Sequence, residues 1–433
     1  MKRRLLPILM TLVLVCALPI WAAFVTSGDV TNPLVCTAGA TSSEESAVEK
    51  LKLAISRGVD AQLTEDIEIT GTLYVERSMT IDLNGHVLKM TGDGSVLRVK
   101  KGPNTVTLTI TDSRPQNPHT GSYEGLPAGG VITGGKGTDA GGSVHSVGGA
   151  VFLENGTTLN LEGGTLTGNS SRGSVFINGA TLVMSGGTIT GETFGVHNNV
   201  GTFTMTGGRI TGCSDRGVYV YNGNMTMSGT AYIGENPNAR REDIYVCESD
   251  HKHTDLSVTG GTIAGNVRIV FLERLHPTQE ELKAAANSVV KEQGVFDGHI
   301  KVEIGTSGTC VDYNSVNFID EVANTRTLKL VLQPNAVEEP ETPTTVNGRE
   351  FMYWTKEGAS EAWDFNTEIK VPLTLYAVRT PASSGGYYYY HPTTDTKTTD
   401  TKGSPKTADP GVALYAALSL LSLTGLTCTA KKR

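Results

Sequence analysis

The chemistry-bearing residues that recur at a fixed step in this chain are rings. Phe152, Phe176, His197, Tyr219 and Tyr245 follow one another roughly every 22 residues, and Arg268 takes the next place. Rings with polar rims suit the apolar faces of sugars, and an uncovered strip of them is a contact surface. Acid–base catalysis asks for positioned carboxylates or a positioned His, and here the candidates are thin. Asp215-Arg216 and Arg240-Arg241-Glu242-Asp243 place opposite charges side by side, which reads first as solvated salt bridges. Gly85-His86 has no acidic partners at a catalytic spacing. Cys247-Glu248-Ser249-Asp250-His251-Lys252-His253 is the densest group of metal-ligating types. In an extended segment His251 and His253 point the same way, but no second ligand pair accompanies them. A polar surface loop is the plainer reading, and no catalytic residue, metal or cofactor is assigned.

The elements that position these residues are repeats. Leu161-Glu162-Gly163-Gly164-Thr165-Leu166-Thr167-Gly168 returns as Met184 to Gly191 and again as Met205 to Gly212. Weaker copies run from Met227 to Gly234 and from Val258 to Gly265, and Gly129 to Gly134 looks like an earlier one. Alignment gives columns: Val151, Val175, Val196, Val218, Ile244, Val267; then Leu153, Ile177, Asn198, Val220, Val246, Ile269. Further columns are Leu159, Leu182, Phe203, Met225, Leu256; Leu161, Met184, Met205, Met227, Val258; and Leu166, Ile189, Ile210, Ile233, Ile263. Within each copy apolar residues alternate at period two, the spacing of strands, and glycines break them at corners. Three short strands per turn, stacked about 4.8 Å apart, describe a parallel β-helix in an all-β chain. A β-sandwich would pair its strands as hairpins and need no such columns.

The ring column is the outward one between the first two inward columns. The outward columns of the next strand are Asn160, Val183, Thr204, Thr226, Ser257 and Glu162, Ser185, Thr206, Ser228, Thr259. One face is therefore aromatic and the other hydroxyl-rich. The aromatic face is open to a ligand unless a loop such as Gly135–Gly149 lies over it. Open sheet edges need covers. Ser42-x-x-Glu45 with Ala47, Leu51, Ala54 and Ile55 predicts one capping helix before Gly58. The strand-like text from Leu73 to Ile110 reads as the cap and first irregular turns. Thr278-x-x-Glu281 with Leu282, Ala285, Ala286, Val289 and Val290 predicts a second helix, ending near Gly294 and covering the last turn. The coil with its caps is expected over 42–310.

Composition bounds the rest. With 51 Gly in 433 residues but no Gly-X-Y period, collagen is excluded, and 38% hydrophobic content excludes wholesale disorder. A formal charge of −8 without a basic domain argues against nucleic acid as a partner. Lys2-Arg3-Arg4, an apolar run from Leu5 to Ile20 and small residues after it read as a secretory signal over 1–27, or as an uncleaved anchor. Gly411 to Ala430 is mostly apolar and ends in Lys431-Lys432-Arg433. Val412 to Cys428 would make about 26 Å of helix, just enough to cross a hydrocarbon core with the basic tail inside. Between the ends Cys36, Cys213, Cys247 and Cys310 are too widely spaced for a zinc motif. One bridge among them stays open.

Ser404-Pro405-Lys406-Thr407-Ala408, the apolar span and the basic tail together resemble the cell-wall sorting signal of Gram-positive surface proteins. Ser404 and Ala408 stand where that family has Leu and Gly. The resemblance implies a sortase and peptidoglycan as partners, cleavage between Thr407 and Ala408, and an extracellular, tethered protein. A plain membrane anchor through 411–430 is the alternative. Phe351-Met352-Tyr353-Trp354, Trp363-Asp364-Phe365 and Leu375-Tyr376-Ala377 resemble the Listeria–Bacteroides B-repeat of internalin-like proteins over 313–380, which implies a small β-grasp-like module. Tyr353 stands where that family has Gly. From 381 to 410 the Ser/Thr/Gly/Asp/Lys/Pro composition predicts an extended stalk.

The repeats resemble, in architecture only, the right-handed parallel β-helix superfamily of pectate lyases, polygalacturonases, phage tailspikes and adhesins. Such a fold does not choose among those functions. The clustered aspartates and Gly-His-Gly of polygalacturonase-like enzymes are missing. The expectation is therefore a surface-tethered, non-catalytic adhesin that binds a glycan or a host surface through Phe152, Phe176, His197, Tyr219, Tyr245 and Arg268. The alternatives are a polysaccharide lyase or hydrolase, motivated by Asp215-Arg216, and a ligand-free spacer.

Overall fold

The computed structural model describes residues 34–36, 46–139, 146–237, 242–251, 255–289, 295–305 and 308–381. The signal over 1–27, the stalk beyond 381, Thr407, Ala408, the anchor over 411–433 and His253 lie outside them. Among the described residues no helix is long and apolar enough to cross a membrane.

The alternating apolar residues build three stacked sheets, two of nine strands and one of thirteen. The chain visits them in rotation. Val151–Leu153 lies in the third sheet, Thr158–Leu161 in the first, Thr165–Thr167 in the second, and Val175–Asn178 returns to the third. Each strand pairs in parallel with its counterpart one repeat on, an arrangement compatible with a β-helix. The sequence columns are the ladders: Val196 opposite Val218, Val218 opposite Ile244, Ile244 opposite Val267. Leu182 faces Phe203, and Ile189 faces Ile210. Their side chains are buried in one core running the length of the stack. A rung cannot bury this surface alone; its neighbours do. On the outer faces hydroxyls meet hydroxyls, as Thr226 donates to Thr204 at 3.2 Å.

The Gly-Gly pairs follow from the corner geometry. At Gly207 a Cβ would stand 2.2 Å from the Ser185 carbonyl oxygen of the adjacent rung, and Gly208 holds φ +78°. The first position is closed by contact and the second by chirality. The column position Asn198 is filled by a buried amide rather than a hydrocarbon. Its Nδ2 donates to the carbonyls of Gly201 and Asn224 at 3.2 and 3.0 Å, and its Oδ1 accepts from Gly201 N at 3.0 Å.

The ends differ from the sequence reading in three ways. The segment read as irregular first turns is regular: Ala61–Leu63, Ile67–Ile69 and Leu73–Val75 form one rung, and Met79–Asp82, Val87–Met90 and Leu97–Val99 the next. Its corners lack the Gly-Gly-Thr signature, turning instead through Asn84 and Gly85 at positive φ. Helix α1, Ala47–Arg57, covers this end with Leu51, Ala54 and Ile55 buried. Its N-cap is Ser46, whose hydroxyl accepts from Glu49 N at 3.3 Å, rather than Ser42. Helix α2, Gln279–Val289, opens on Thr278, which exchanges hydrogen bonds with Glu281. α2 is not terminal. The first sheet stops at Leu256–Val258, while Val295–Phe296 and His299–Ile304 continue the second and third, so α2 replaces one first-sheet strand.

His299–Ile304 then turns antiparallel into an eleven-residue strand, Cys310–Asp320. That strand also pairs with Thr325–Leu332 and Leu373–Arg379, and Phe351–Lys356 closes the sheet. Val316, Phe318, Val337, Trp354, Ile369 and Leu375 form a separate small core, with Trp363 and Phe365 against it. Val337 brings the Pro-rich stretch 334–346 into that core. Below it, Arg379 Nε donates to Asp320 at 3.0 Å, both side chains buried.

Candidate functional site

The third sheet holds the expected ring column. The outward ladder reads Tyr74, Arg98, Phe152, Phe176, His197, Tyr219, Tyr245, Arg268 and Lys301, each opposite the next. Ring centroids along it lie 5.1, 4.9, 4.7 and 5.5 Å apart from Phe152 to Tyr245, tilted or edge-to-face rather than flat. That tilt is the favoured approach for quadrupolar rings held at ladder spacing. Cations close both ends of the run: the Arg98 guanidinium stands 4.7 Å from the Phe152 ring, and Arg216 4.2 Å from Tyr245.

The column is not uniformly open. Phe152 and Phe176 are buried, packed with Val147 in a small cluster of their own. Val147 belongs to the segment Ser146–Val147, which pairs with Thr138–Asp139 and is laid against the third sheet by the Gly148 N bond to Gly173 O. This part of the loop Gly135–Gly149 withdraws the first two rings from solvent, because a Val there gains more by covering apolar rings than by facing water. His197 is largely covered too, its Nδ1 without a hydrogen-bond partner. Burial, with the Arg172 charge behind it, pushes its pKa down to about 4, so the ring is neutral at physiological pH. Tyr219 and Tyr245 are half-buried, and burial raises the pKa of both phenols. Both act as hydroxyls, not phenolates.

Arg268 is engaged rather than free. Its Nη1 donates to Glu242 at 3.1 Å and its Nε to Glu303 at 2.7 Å, with a second bond from Nη2 to Glu303. Lys301 Nζ also reaches Glu303, at 2.6 Å. Burial opposes the Glu303 charge, yet the bonds from Lys301 and Arg268 hold its carboxyl below the usual range. Beside this network is a cavity of about 430 Å³ lined by Glu242, Asn266, Val267, Arg268, His299 and Lys301. His299 Nε2 stands 3.0 Å from Asp312. The structure thus places Glu242, His299 and Lys301 in the neighbourhood of Arg268. Lys301 is the continuation of the ladder past Arg268, hidden in the sequence because α2 interrupts the repeat. Phe194 also joins the column from off register, 5.7 Å from Tyr219.

Of the other candidates, Asp215-Arg216 comes beside this site through Arg216. Asp215 and Arg216 form a neighbouring pair at 3.0 Å, and Arg216 also reaches Glu242 at 3.3 Å. His86 stands 3.5 Å from Asp66 in an early rung. His251 lies 3.4 Å from the buried Glu248 and 4.0 Å from Asp255. Among the described residues no three His, Cys, Asp or Glu side chains are grouped to hold a metal ion. Cys213, Cys247 and Cys310 carry free thiols. Compared with known proteins, the chain matches no family model, no curated protein and no solved structure.

Proposed function

We propose that the protein is a non-catalytic glycan-binding adhesin whose site is the half-open stretch of the third sheet at Tyr219, Tyr245 and Arg268. One observation carries this reading. Two half-buried tyrosine rings 5.5 Å apart lead along the ladder to Arg268, which faces Tyr245 and walls a polar cavity of about 430 Å³ together with Glu242, Asn266, His299 and Lys301. Rings offer a face to a pyranose, and the cavity offers donors and acceptors to its hydroxyls. Phe152, Phe176 and His197 underlie the site as a packed footing. The stacked parallel sheets are read as a right-handed β-helix, the hand that parallel crossovers favour. The surrounding organisation belongs to the same proposal: a signal over 1–27, a β-helix over 42–310, an internalin B-repeat-like module over 313–380, and a stalk over 381–410. A sortase acting at Thr407–Ala408 would join the chain to peptidoglycan outside a Gram-positive cell.

The test is a glycan array probed with the full chain, its Tyr219→Ala/Tyr245→Ala variant and its Tyr219→Phe/Tyr245→Phe variant. Loss of signal in the Ala variant and retention in the Phe variant is expected; an Ala variant that binds as before overturns the reading. The same cavity supports a second reading, a polysaccharide lyase or hydrolase, because Glu242, Lys301 and the His299–Asp312 pair bring acid–base groups together. Turnover of any member of a polysaccharide panel, lost in His299→Ala, would replace the first reading with the second.

A further inference from the structure

Between the third and first sheets the chain turns a corner on every rung. Glu76–Ser78 and Glu154–Thr157 are short corners. The one between them, Lys100–Val106, is longer, and it stands out from the stack as a wall. The result is a cleft of about 670 Å³ lined by Glu76–Ser78, Lys100–Val106 and Glu154.

The charges in this cleft do not cancel. Glu76 is matched by Lys100 at 3.3 Å, and Glu154 by Arg98 at 2.8 Å. Arg77 and Lys101 are exposed cations with no carboxylate partner among the described residues. The stem of Arg77 lies against Gly58, where a Cβ would come within 2.6 Å of it, so the side chain has little room on that side. Asn104 and Thr105 add polar groups to the wall. Tyr74 stands against Lys100, one of the cleft's lining residues. It is 49% exposed, the most open ring of the outward ladder, and its ring centre lies 4.3 Å from Lys100 Nζ. The chain as a whole carries −8, so a polyanion is repelled at long range and would be held only where cations are locally uncompensated.

We propose that this cleft is an anionic-sugar site, in which Arg77 and Lys101 hold the oxyanion of an acidic sugar unit and Tyr74 meets its ring. A sulfate ester and a carboxylate share this chemistry. Arg77 offers a planar donor fork and Lys101 a point charge, and either anion satisfies both. The site stands on residues apart from Tyr219 and Tyr245 and does not depend on the reading given to them.

The experiment measures binding of the full chain to immobilised dextran sulfate, chondroitin sulfate, unsulfated chondroitin and plain dextran. The expected result is binding to at least one anionic polymer and none to plain dextran, the sulfated and unsulfated arms separating sulfate from carboxylate. Arg77→Gln/Lys101→Gln should weaken that binding tenfold or more, and Tyr74→Ala several-fold. Lys52→Gln/Lys283→Gln removes two surface cations that are paired with Glu49 and Glu280 on the helices and should change nothing. Failure of every anionic polymer to bind overturns the proposal, as does equal binding by the Arg77/Lys101 variant or an equal loss in the Lys52/Lys283 variant.

Discussion

Glu192 is a carboxyl group buried at a corner of the stack, and its proton should be visible in the stability of the protein. It follows the second-sheet strand Thr188–Thr190 and is 2% exposed. Its oxygens accept from Asn169 N at 3.1 and 3.2 Å and from Asn169 Nδ2 at 3.3 Å. No basic side chain among the described residues pairs with it. Burial outweighs these bonds and pushes its pKa up to about 8, against 4.5 for a free glutamate. The folded chain therefore holds this proton up to about pH 8, while the unfolded chain releases it near 4.5. Between those values the folded state binds more protons, so stability falls as pH rises through that window and then levels. At about 1.4 kcal/mol per pH unit the ceiling is about 5 kcal/mol. Glu192→Gln keeps the shape and a hydrogen-bonding group but has no proton to lose. Urea midpoints of the two proteins should agree near pH 5 and diverge in favour of the variant by pH 9. Because each rung depends chiefly on its neighbours, hydrogen exchange at the Asn169 and Ser214 amides should report the difference locally; Ser214 N donates to the Glu192 carbonyl. Parallel pH profiles for wild type and variant would refute the buried, protonated assignment.

Two further perturbations test the interior and the ring column. Asn198→Leu restores the hydrocarbon type of its column neighbours Ile177 and Val220, yet it should destabilise by about 2–4 kcal/mol, because buried backbone groups of Gly201 and Asn224 lose their partners; a neutral or stabilising effect in urea unfolding would contradict this. His197 is held neutral down to about pH 4 against an ordinary 6.5, so the unfolded state takes up the proton first and stability falls as pH drops through that window, by up to about 3 kcal/mol. His197→Phe, continuing the column between Phe176 and Tyr219, should remove that acid-side slope in thermal unfolding between pH 4 and 7.

The columns were legible because a stacked rung repeats its environment. Val196, Val218 and Ile244 each meet the same neighbours one rung up and down, so each position is under the same packing demand, and the demand is written in residue type. The first rungs were harder to read for the same physical reason. Their corners close through Asn84-Gly85 and single turns rather than the Gly-Gly pair, so they meet the same core with different punctuation. The ring column was legible in identity but not in exposure. Whether Phe152 and Phe176 face water depends on Val147, which lies in a segment with no repeat of its own. Glu242 and Lys301 were illegible because what brings them beside Arg268 is ladder register: Arg268 faces Lys301 across a gap of one helix in the sequence.

The same contrast bears on where recognition can evolve on such a stack. A substitution in a column is felt by the rungs on both sides, and at Gly207 even a methyl group meets a backbone carbonyl 2.2 Å away. An extension at a corner is felt by neither, because loop length adds little to the cost of closure. Ser146–Val147 lies in one such extension and shuts off Phe152 and Phe176. Lys100–Val106 is another and opens a cleft beside Tyr74, the most exposed ring of the outward ladder. Each departure from the minimal corner alters access to the third sheet without disturbing its register, so binding specificity on this stack is set by corner length and corner charge, with the columns supplying a rigid support.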